Sequence, residues 1–548
     1  MQETIRIPHI EGNATPAIVE ACGKIHPNTL ISFEKGIYHF TKDGAHEKDI
    51  RGIHIMPGLK QVVFDLDHVE NLTIDGNGSE FMFDDILFPF AMIHCRNITL
   101  RNFTIDFSFS RYCQGEVVQS DESGFELAID SSHFSAEVDA GGHVIFHSRD
   151  LSVSTEDRAI LIGNAIFGRS PWDYVFAGDT QQSKENLPTS YIETDAVATP
   201  RGMRFNYREQ SRRLVFPLGD NLIFCYEPRK NVNILSYMGE NIHLENVAMY
   251  RGGGMGVVIA RTRDFYADNV SIQVRPGRNE CRSTTADGFF LVQNDGAVSL
   301  RNCLISHTLD DALNIHGSYH KVSEVSGNVI IFDVGYNAHR GFMSYEPQDR
   351  LTVSDRETHC FKASFTVLKA DMLPDERIRL ELDGDCSAIS VDDIVENDSR
   401  VPKFIFENNK VVCCPHLRIS DNGPIVIRHN TFDRINCILV IDLLKYWYEA
   451  GAVNGMVIED NLFTGTPQAG KGYAINIYSS RKKGTDIRHK DISIVNNRFI
   501  SPNTHAIAAA QVDGLVIRGN DFHGGVEDTM LLIDDCTGVC NCDNQFNA

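Results

Sequence analysis

Three aspartates occur at a spacing that could support acid–base chemistry. Asp310 and Asp311 are adjacent in HTLDDALNIHG, and Asp287 precedes Asp311 by 24 residues in TTADGFFLV. Both segments continue with apolar residues at alternate positions, as strands do. Aligning the two strands sets Phe289 on Leu313 and, at the same register, Asp287 on Asp311. Neighbouring strands lie about 4.8 Å apart, so the three carboxyl groups should share one small surface.

Crowded carboxyl groups differ in pKa, because one of them retains a proton when the others ionise. An inverting glycosidase uses such a set as an acid and a base that holds a water, with carboxyl groups roughly 6.5–9.5 Å apart. We expect Asp310 to be the acid and Asp287 with Asp311 to hold the water. Strict alternation would turn Asp311 inward, so the turn before the strand is expected to release it outward, as bulges next to active sites often do. The alternative interpretation is a solvated acidic edge.

Six further polar or aromatic residues are candidates for substrate binding. Two arginines precede the aspartates along the chain, two residues share the outward face of the strand after Asp310, and two lie in the loop after NCILVID. An indole can stack on a sugar face, and the polar groups can hydrogen-bond sugar hydroxyls. Packing under the loop and a solvated charged loop are the alternatives. The candidates are Arg251, Arg282, Asn314, His316, Trp447 and Glu449.

A recurring asparagine phrase organises the chain that must position these residues. It reads IHLENVAM around Asn246, FYADNVSI around Asn269 and LVIRGNDF around Asn520, and each copy is followed by a turn and a short apolar strand. Asparagine tolerates a left-handed turn and can hydrogen-bond locally, so stacked copies should form a ladder. Coils of about two dozen residues with several short strands are typical of a parallel β-helix.

The phrase disappears twice, which predicts two inserted domains with strands of their own. Residues 15–25 have apolar positions at helical spacing and would cap the open end of the first coil. The expected fold is all-β: a right-handed parallel β-helix with an N-terminal helical cap and two small, barrel-like antiparallel insertions. The predicted divisions are the cap and first coils at 1–108, an insertion at 109–230, the coils with the aspartates at 231–319, a second insertion at 320–404 and the last coils at 405–548.

Composition restricts the partners. The 548 residues carry 74 acidic and 51 basic side chains, a net charge of −23, which disfavours nucleic acid and anionic membranes. A neutral sugar is easier to reconcile with this charge than a polyanion. No apolar run is long enough to span a membrane. The 14 cysteines lack zinc-site spacing, so buried free thiols are expected, with no metal and no cofactor.

The N-terminus, MQETIRIPHI, lacks the basic-then-apolar pattern of a signal peptide. Either the protein is cytoplasmic or this chain begins at a mature N-terminus. The sequence does not define an oligomeric state, and a homodimer is left open.

The run TTADGFFLVQNDGAVSLRNCLISHTLDDALNIHG resembles glycoside hydrolase family 110, the bacterial α-1,3-galactosidases that remove the terminal galactose of the blood group B antigen. The resemblance extends over nearly the whole chain, including both insertions. It implies an inverting exo-hydrolase that needs no metal or nucleotide, with Asp287, Asp310 and Asp311 at the matching positions. It also implies a secreted, periplasmic or cell-surface bacterial protein whose signal peptide has been removed.

The spacing of one aspartate followed a coil later by two is also similar to that of polygalacturonases, which implies that Asp310 is the acid. Their characteristic histidine and Arg-x-Lys have no clear counterpart here, which argues against a galacturonan substrate. A pectin-type hydrolase or lyase and a non-catalytic glycan-binding β-helix remain the alternatives. The sequence does not decide whether a branched or a linear α-1,3-galactoside is preferred.

Overall fold

The computed structural model of the chain describes most of its residues. The described ranges are 2–138, 144–148, 159–162, 166–167, 174–176, 183–186, 192–209, 213–225, 229–333, 341–444, 447–465, 472–479, 487–500 and 505–547. Within these ranges the regular secondary structure is almost entirely β, and no helix is long and apolar enough to cross a membrane.

The chain begins with a helix and eight strands. Helix α1, Thr15–Cys22, starts with a proline in its first turn and buries Ile18 and Ala21 against the first coil. The strands are β1 Glu3–Ile7, β2 Thr29–Phe33, β3 Ile37–Phe40, β4 His46–Ile50, β5 Gly58–Asp67, β6 Glu70–Phe83, β7 Phe88–Ile93 and β8 Arg96–Phe107.

Eleven strands follow in the first window without the asparagine phrase. They are β9 Tyr112–Asp121, β10 Gly124–Ile129, β11 Phe134–Val138, β12 Val144–Ser148, β13 Ala159–Ile162, β14 Ile166–Phe167, β15 Tyr174–Phe176, β16 Ser183–Asn186, β17 Ile192–Thr199, β18 Gly202–Tyr207 and β19 Asn221–Cys225. Every pairing among them is antiparallel, as in the pairs β9–β10 and β9–β19.

Coils resume and then give way to a second antiparallel unit. The coil strands are β20 Ile234–Tyr237, β21 Glu240–Met249, β22 Val257–Ala260, β23 Arg263–Asp268, β24 Ser271–Ile272, β25 Phe289–Val292, β26 Asp295–Arg301, β27 Leu304–Ser306 and β28 Leu313–Ser326. The antiparallel strands are β29 Val329–Asp333, β30 Arg350–Ser354, β31 Phe361–Met372, β32 Ile378–Leu382 and β33 Ile394–Asn397. Strand β28 belongs to both units, because its first half pairs with β25 and its second half with β29.

The remaining strands and a short helix, α2 Glu527–Met530, form the last coils. The strands are β34 Lys403–Glu407, β35 Lys410–Val412, β36 His416–Ser420, β37 Ile425–Arg428, β38 Thr431–Asp433, β39 Cys437–Ile441, β40 Leu443–Leu444, β41 Glu449–Ala450, β42 Asn454–Glu459, β43 Leu462–Thr464, β44 Tyr473–Tyr478, β45 His489–Val495, β46 Arg498–Ile500, β47 His505–Ala510, β48 Val512–Arg518, β49 Asp521–His523, β50 Leu531–Asp534, β51 Cys540–Cys542 and β52 Gln545–Asn547.

Two long parallel stacks confirm the predicted β-helix. One stack runs from β5 through β7, β20, β22, β25, β28, β36, β39, β44 and β47 to β50, and each pair in it is parallel. The other stack contains the strands that hold the asparagine phrase. The predicted fold class, a right-handed parallel β-helix with a helical cap and two antiparallel insertions, is thus confirmed. The exact domain boundaries stay predictions.

The register predicted for the aspartate strands is also confirmed. Phe289 pairs with Leu313, and Leu291 pairs with Ile315. All four side chains are buried in the main core. The coil after the second insertion continues this register, because Leu313 pairs in turn with Leu417 of β36.

The asparagine ladder has two forms. Asn246 and Asn269 adopt left-handed backbone angles with φ of 54° and 53°, as predicted, and Asn269 donates to Asn246 over 2.8 Å. In the last coils the preceding residue takes the left-handed turn instead, for example Asn496 with φ of 55°. The buried Asn497 then accepts from Asn461 and donates to Asn520. Left-handed turn chemistry therefore explains the early copies, whereas an internal amide ladder explains the late ones.

Candidate active site

The three aspartates meet on the side of the parallel stack formed by β25, β28 and β36. One carboxylate oxygen from each of Asp287, Asp310 and Asp311 lies within 4.8 Å of the others. This separation of oxygen atoms is shorter than the carboxyl separation expected from the sequence. Asp287 and Asp311 are 1% exposed, so the cluster is recessed rather than a solvated edge.

Turns release the aspartates from strand alternation, as expected for Asp311. They lie before the first paired residues of β25 and β28, in turns where strand alternation does not apply. The backbone N–H of Gly288 donates to the carbonyl of Asp311, so successive coils are joined at the cluster itself. A Cβ atom at Gly288 would come within 2.6 Å of the Ala312 carbonyl oxygen, which makes glycine necessary for this approach.

Arg229 supplies positive charge between two of the aspartates. Its Nη2 lies 2.8 Å from Oδ2 of Asp310 and 3.3 Å from Oδ2 of Asp287. It follows the last strand of the first insertion, so the insertion and the coils jointly build the site. No motif in the sequence indicates Arg229, because only folding brings residue 229 to the aspartates.

The three carboxyl groups differ in pKa. Burial and then the neighbouring Asp310 raise the pKa of Asp287 well above its ordinary value. Burial and then Asp311 likewise raise the pKa of Asp310. Burial alone would also raise the pKa of Asp311, but Arg418 and His416 outweigh it and lower that pKa. The site therefore combines one carboxyl group that ionises at lower pH than usual with two that hold their protons to higher pH than usual.

Strand β36 provides the groups that keep Asp311 ionised. Nδ1 of His416 lies 2.8 Å from Oδ1 of Asp311, and Nη1 of Arg418 lies 3.5 Å from Oδ2. The register that pairs Leu313 with Leu417 sets Arg418 beside Asn314. The segment CPHLRIS carries a recognisable coil phrase, so aligning it with DDALNIH could have identified both residues.

Four of the six predicted substrate-binding residues lie together beside the cluster. Nδ2 of Asn314 donates to Oε1 of Glu449 over 3.1 Å, and Nε2 of His316 lies 3.9 Å from the same oxygen. Arg418 links this group to Asp311, because its Nη1 lies 3.6 Å from Oε2 of Glu449. We call the surface formed by Asn314, His316, Trp447 and Glu449 the polar face.

His54, which the sequence did not indicate, lies between two members of the polar face, Trp447 and His316. The His54 ring centroid lies 6.2 Å from that of Trp447 and 5.9 Å from that of His316. Burial lowers the pKa of His316, and its Nδ1 lies 2.5 Å from the Gly317 carbonyl oxygen. The neutral ring then donates from Nδ1 and presents Nε2 as an acceptor.

The other two predicted arginines make their contacts elsewhere. Arg251 pairs with Glu280 and donates to the carbonyl of Phe107 over 2.7 Å. Arg282 is 2% exposed and its Nη1 donates to the carbonyl of Cys413. The structure thus brings four of the six candidates to the aspartates and holds these two against other partners.

Two groups at the site have donor atoms close enough to hold a cation. The three aspartates are one group, and His54, His316 and Glu449 are the other. At the aspartates, Arg229 and Arg418 already supply cationic charge. The arrangement can therefore perform acid–base chemistry with its own side chains.

Several curated proteins are similar to this chain over most of its length. "Alpha-1,3-galactosidase A" of Shewanella woodyi is 26% identical over 536 residues, which cover 94% of this chain and 84% of the relative. "Alpha-1,3-galactosidase B" of Bacteroides thetaiotaomicron is 28% identical over 535 residues, which cover 93% and 83%. These relatives confirm the resemblance to α-1,3-galactosidases drawn from the sequence.

No family model matches the chain. Among solved structures, the polygalacturonase from Erwinia carotovora ssp. carotovora aligns with 100% of this chain and 95% of its own, at 9% identity and a TM-score of 0.40.

Proposed function

We propose that this protein is an exo-acting, inverting glycoside hydrolase that releases terminal α-1,3-linked galactose. The observation that carries this proposal is a convergence of buried polar atoms that make no hydrogen bond with the described residues: Asp287 Oδ2, Asp311 Oδ2, Asn314 Oδ1, His316 Nε2 and Glu449 Oε2. A buried polar atom without a hydrogen bond costs about 1–3 kcal/mol, and less where a cation lies nearby, as Arg229 or Arg418 does for the three carboxylate oxygens. The surface is therefore suited to a ligand rich in hydroxyl groups. The names of the relatives support a galactosidase.

Exposure separates the roles of the adjacent aspartates. The Asp310 side chain is 26% exposed, whereas that of Asp311 is 2% exposed. Asp310 can therefore reach the glycosidic oxygen and protonate it as the bond to the anomeric carbon breaks. Asp311, ionised and recessed, removes a proton from the water that attacks the opposite side of that carbon.

The close spacing of the carboxylates is suited to holding this water. A water that donates to two carboxylate oxygens, each over about 2.5–3.0 Å, spans the separation between Asp287 and Asp311. Asp287 then fixes the position of the water, and its raised pKa lets it share a proton with Asp310. This assignment keeps the acid and the two water-holding residues expected from the sequence.

One observation favours a second mechanism, which is retention. Retaining glycosidases have carboxyl groups about 5–5.5 Å apart, and the oxygens here lie within 4.8 Å. A nucleophile must contact the anomeric carbon, however, and Asp311 is held back by His416 and Arg418. We therefore favour inversion, which requires only that Asp311 touch water.

The polar face would bind the galactose that is released. Glu449 and His316 offer acceptors to sugar hydroxyl groups, and the Trp447 ring can pack on the apolar side of the pyranose. We propose that Arg418 orients both Asp311 and Glu449, because it lies within 3.6 Å of both carboxylates.

Specificity, location and assembly extend the proposal. We propose branched, blood group B-type glycans as substrates, with linear α-1,3-galactosides accepted as well. An exported bacterial enzyme fits such a substrate, and a homodimer stays a prediction. The alternatives are a pectin-type hydrolase or lyase and a glycan-binding protein without activity.

The test is the release of free galactose from a blood group B trisaccharide and from linear α-1,3-galactobiose. We expect release from the trisaccharide and its loss in Asp310→Asn. Release from the disaccharide as well would extend the specificity to linear substrates. An ultraviolet-absorbing product from pectin would instead support a lyase. Binding of the trisaccharide without any product, equal in wild type and Asp310→Asn, would establish a non-catalytic protein.

A further inference from the structure

A cavity lies where the first insertion meets the coils, and none of its lining residues belongs to the aspartate cluster or the polar face. Its volume is about 580 Å³, within the range of small-molecule sites. One wall consists of strands of the insertion. The other contains Arg251 and residues 277–280 of the loop that leads to Asp287.

Strand alternation builds the insertion wall. Tyr112, Gln114 and Glu116 occupy every second position of β9 and line the cavity together. The antiparallel register sets Ala128 of β10 on one side of Glu116 and Asn221 of β19 on the other. Three neighbouring strands thus present one continuous face to the cavity.

Two buried polar groups at the cavity have unused hydrogen-bonding capacity. Glu280 and Asn221 are each 9% exposed. Oε1 of Glu280 contacts Arg251, but its Oε2 has no hydrogen bond within the described structure. Oδ1 of Asn221 accepts from Gln114, and its Nδ2 makes no side-chain hydrogen bond with a described residue. An acceptor and a donor at one cavity match a sugar hydroxyl, which donates and accepts.

The charges at the cavity disfavour an anionic ligand. The guanidinium of Arg251 is paired with Glu280, and that of Arg278 lies 2.8 Å from the carboxylate of Asp106. Glu116 and Asp130 add negative charge at the rim. With both arginines paired, a phosphate or sulfate would meet net negative charge, whereas a neutral ligand would not.

Apolar side chains complete the lining. Ile129 and Phe134 are buried and lie beside the polar groups. Pyranosides offer hydroxyl groups at their edge and C–H groups on their faces, so binding them takes polar side chains together with aliphatic or aromatic ones.

We propose that this cavity is a second carbohydrate-binding site, which takes a neutral pyranoside and does not cleave it. Glu280 Oε2 accepts from one hydroxyl group and Asn221 Nδ2 donates to another. The apolar face of the ring packs on Ile129 and Phe134. This site goes beyond the proposed hydrolase, because binding here involves none of the three aspartates.

The test uses the full chain with Asp310→Asn, so that no probe is consumed. Lactose, N-acetyllactosamine and methyl α-mannoside are titrated by calorimetry into this parent and into two derivatives. Ala128→Trp fills the cavity, and Ala198→Trp adds the same side chain at an exposed position of β17 in the same sheet. We expect Ala128→Trp to weaken at least one sugar about tenfold or more, ~1.4 kcal/mol, and Ala198→Trp to leave it unchanged.

Asn221→Ala is the second variant, for use if melting curves show that Ala128→Trp is misfolded. It should weaken the same sugar without blocking the cavity. With Asp310 intact, turnover of an aryl α-galactoside should be unaffected by Ala128→Trp. Equal affinities in the parent and the folded cavity variants, or no binding of any of the three sugars, would overturn the proposal. A matching loss of turnover would instead assign the cavity to the hydrolytic site.

Discussion

His416 contacts the carboxylate of Asp311 although 105 residues separate them along the chain, and its Nδ1 lies 2.8 Å from Oδ1. The contact exists because β36 pairs with β28 after the second insertion has been bypassed. Together with Arg418, it lowers the pKa of one aspartate, while burial raises the pKa of the other two. This inequality gives the three like residues different expected responses to substitution and to pH.

Substituting each aspartate with asparagine should reduce turnover of the natural substrate about 10²–10⁴-fold, the usual contribution of an acid or base.

Unfolding measurements should distinguish the three aspartate variants from one another. Asp287→Asn should raise the melting temperature, because it removes a buried carboxyl group crowded by Asp310. Asp311→Asn should lower it, because a charge-assisted hydrogen bond of about 1–3 kcal/mol is lost. Asp333→Asn, at an exposed strand end, is the control. If the variant of one of the three aspartates keeps a tenth of the wild-type activity, that aspartate does not act as an acid or base.

Turnover should fall on both the acid and the alkaline side of its pH profile. Asp311 has a folded-state pKa below its ordinary 3.8, so turnover is lost on the acid side as Asp311 gains a proton. The pKa of Asp287 and of Asp310 is raised, so turnover is lost on the alkaline side as this pair loses its proton. Stability should follow the same directions: the contribution of Asp311 disappears as pH falls through its lowered pKa, and that of the pair disappears as pH rises from 3.8 through their raised pKa.

His416→Asn should move the acid limb more than the alkaline limb. Without the imidazole hydrogen bond the pKa of Asp311 rises, so the acid limb of kcat/KM shifts to higher pH, while the alkaline limb shifts less in the same direction, because His416 makes only a smaller contribution to lowering the pKa of Asp310. His429→Asn, at an exposed turn, should shift neither limb. An unchanged acid limb in His416→Asn would show that Asp311 is not the group titrating there.

Leaving-group dependence should separate the acid from the base. An activated phenolate needs little protonation, so Asp310→Asn should lose less rate on an aryl galactoside than on the natural disaccharide. Asp311→Asn should lose both alike, because the water still has to be activated. Equal losses in Asp310→Asn for the two substrates would remove Asp310 as the acid.

Proton NMR of the first-formed sugar should show β-galactose before mutarotation. Inversion forms no glycosyl-enzyme, so azide should not produce a retained product in any aspartate variant. If α-galactose appeared first, the two-step retaining mechanism favoured by the short carboxylate spacing would replace the proposal.

The coil architecture could be predicted from sequence because each coil repeats the same local rules. The alternation of Phe289 and Leu291 specified the register with Leu313 and Ile315, and that register placed Asp287 near Asp311. The same register predicted the positions of Asn314 and His316, since they lie on the same strand. The local sequence pattern is sufficient to predict which residues meet wherever those residues are one coil apart.

Arg229 and His54 could not be predicted in this way. Arg229 enters from the end of an insertion, and His54 from a turn between β4 and β5, so neither has a repeat position. The position of Arg282 could not be predicted for a related reason. Its place just before Asp287 in the sequence suggested that it lies at the site, but its guanidinium donates to the Cys413 carbonyl. Side-chain direction in a loop depends on tertiary contacts that alternation does not report.

Strand β28 continues without interruption from the coil into the second insertion, which has a consequence for how the molecule folds. Coils on either side can grow by adding neighbours, as in other solenoids. Joining β28 to β36 requires closure of a long loop, although doubling its length adds only about 0.6 kcal/mol. Asp311 therefore acquires His416 and Arg418 only when this junction forms. A folding intermediate that contains both halves but has not joined them would possess all three aspartates and still lack a competent base.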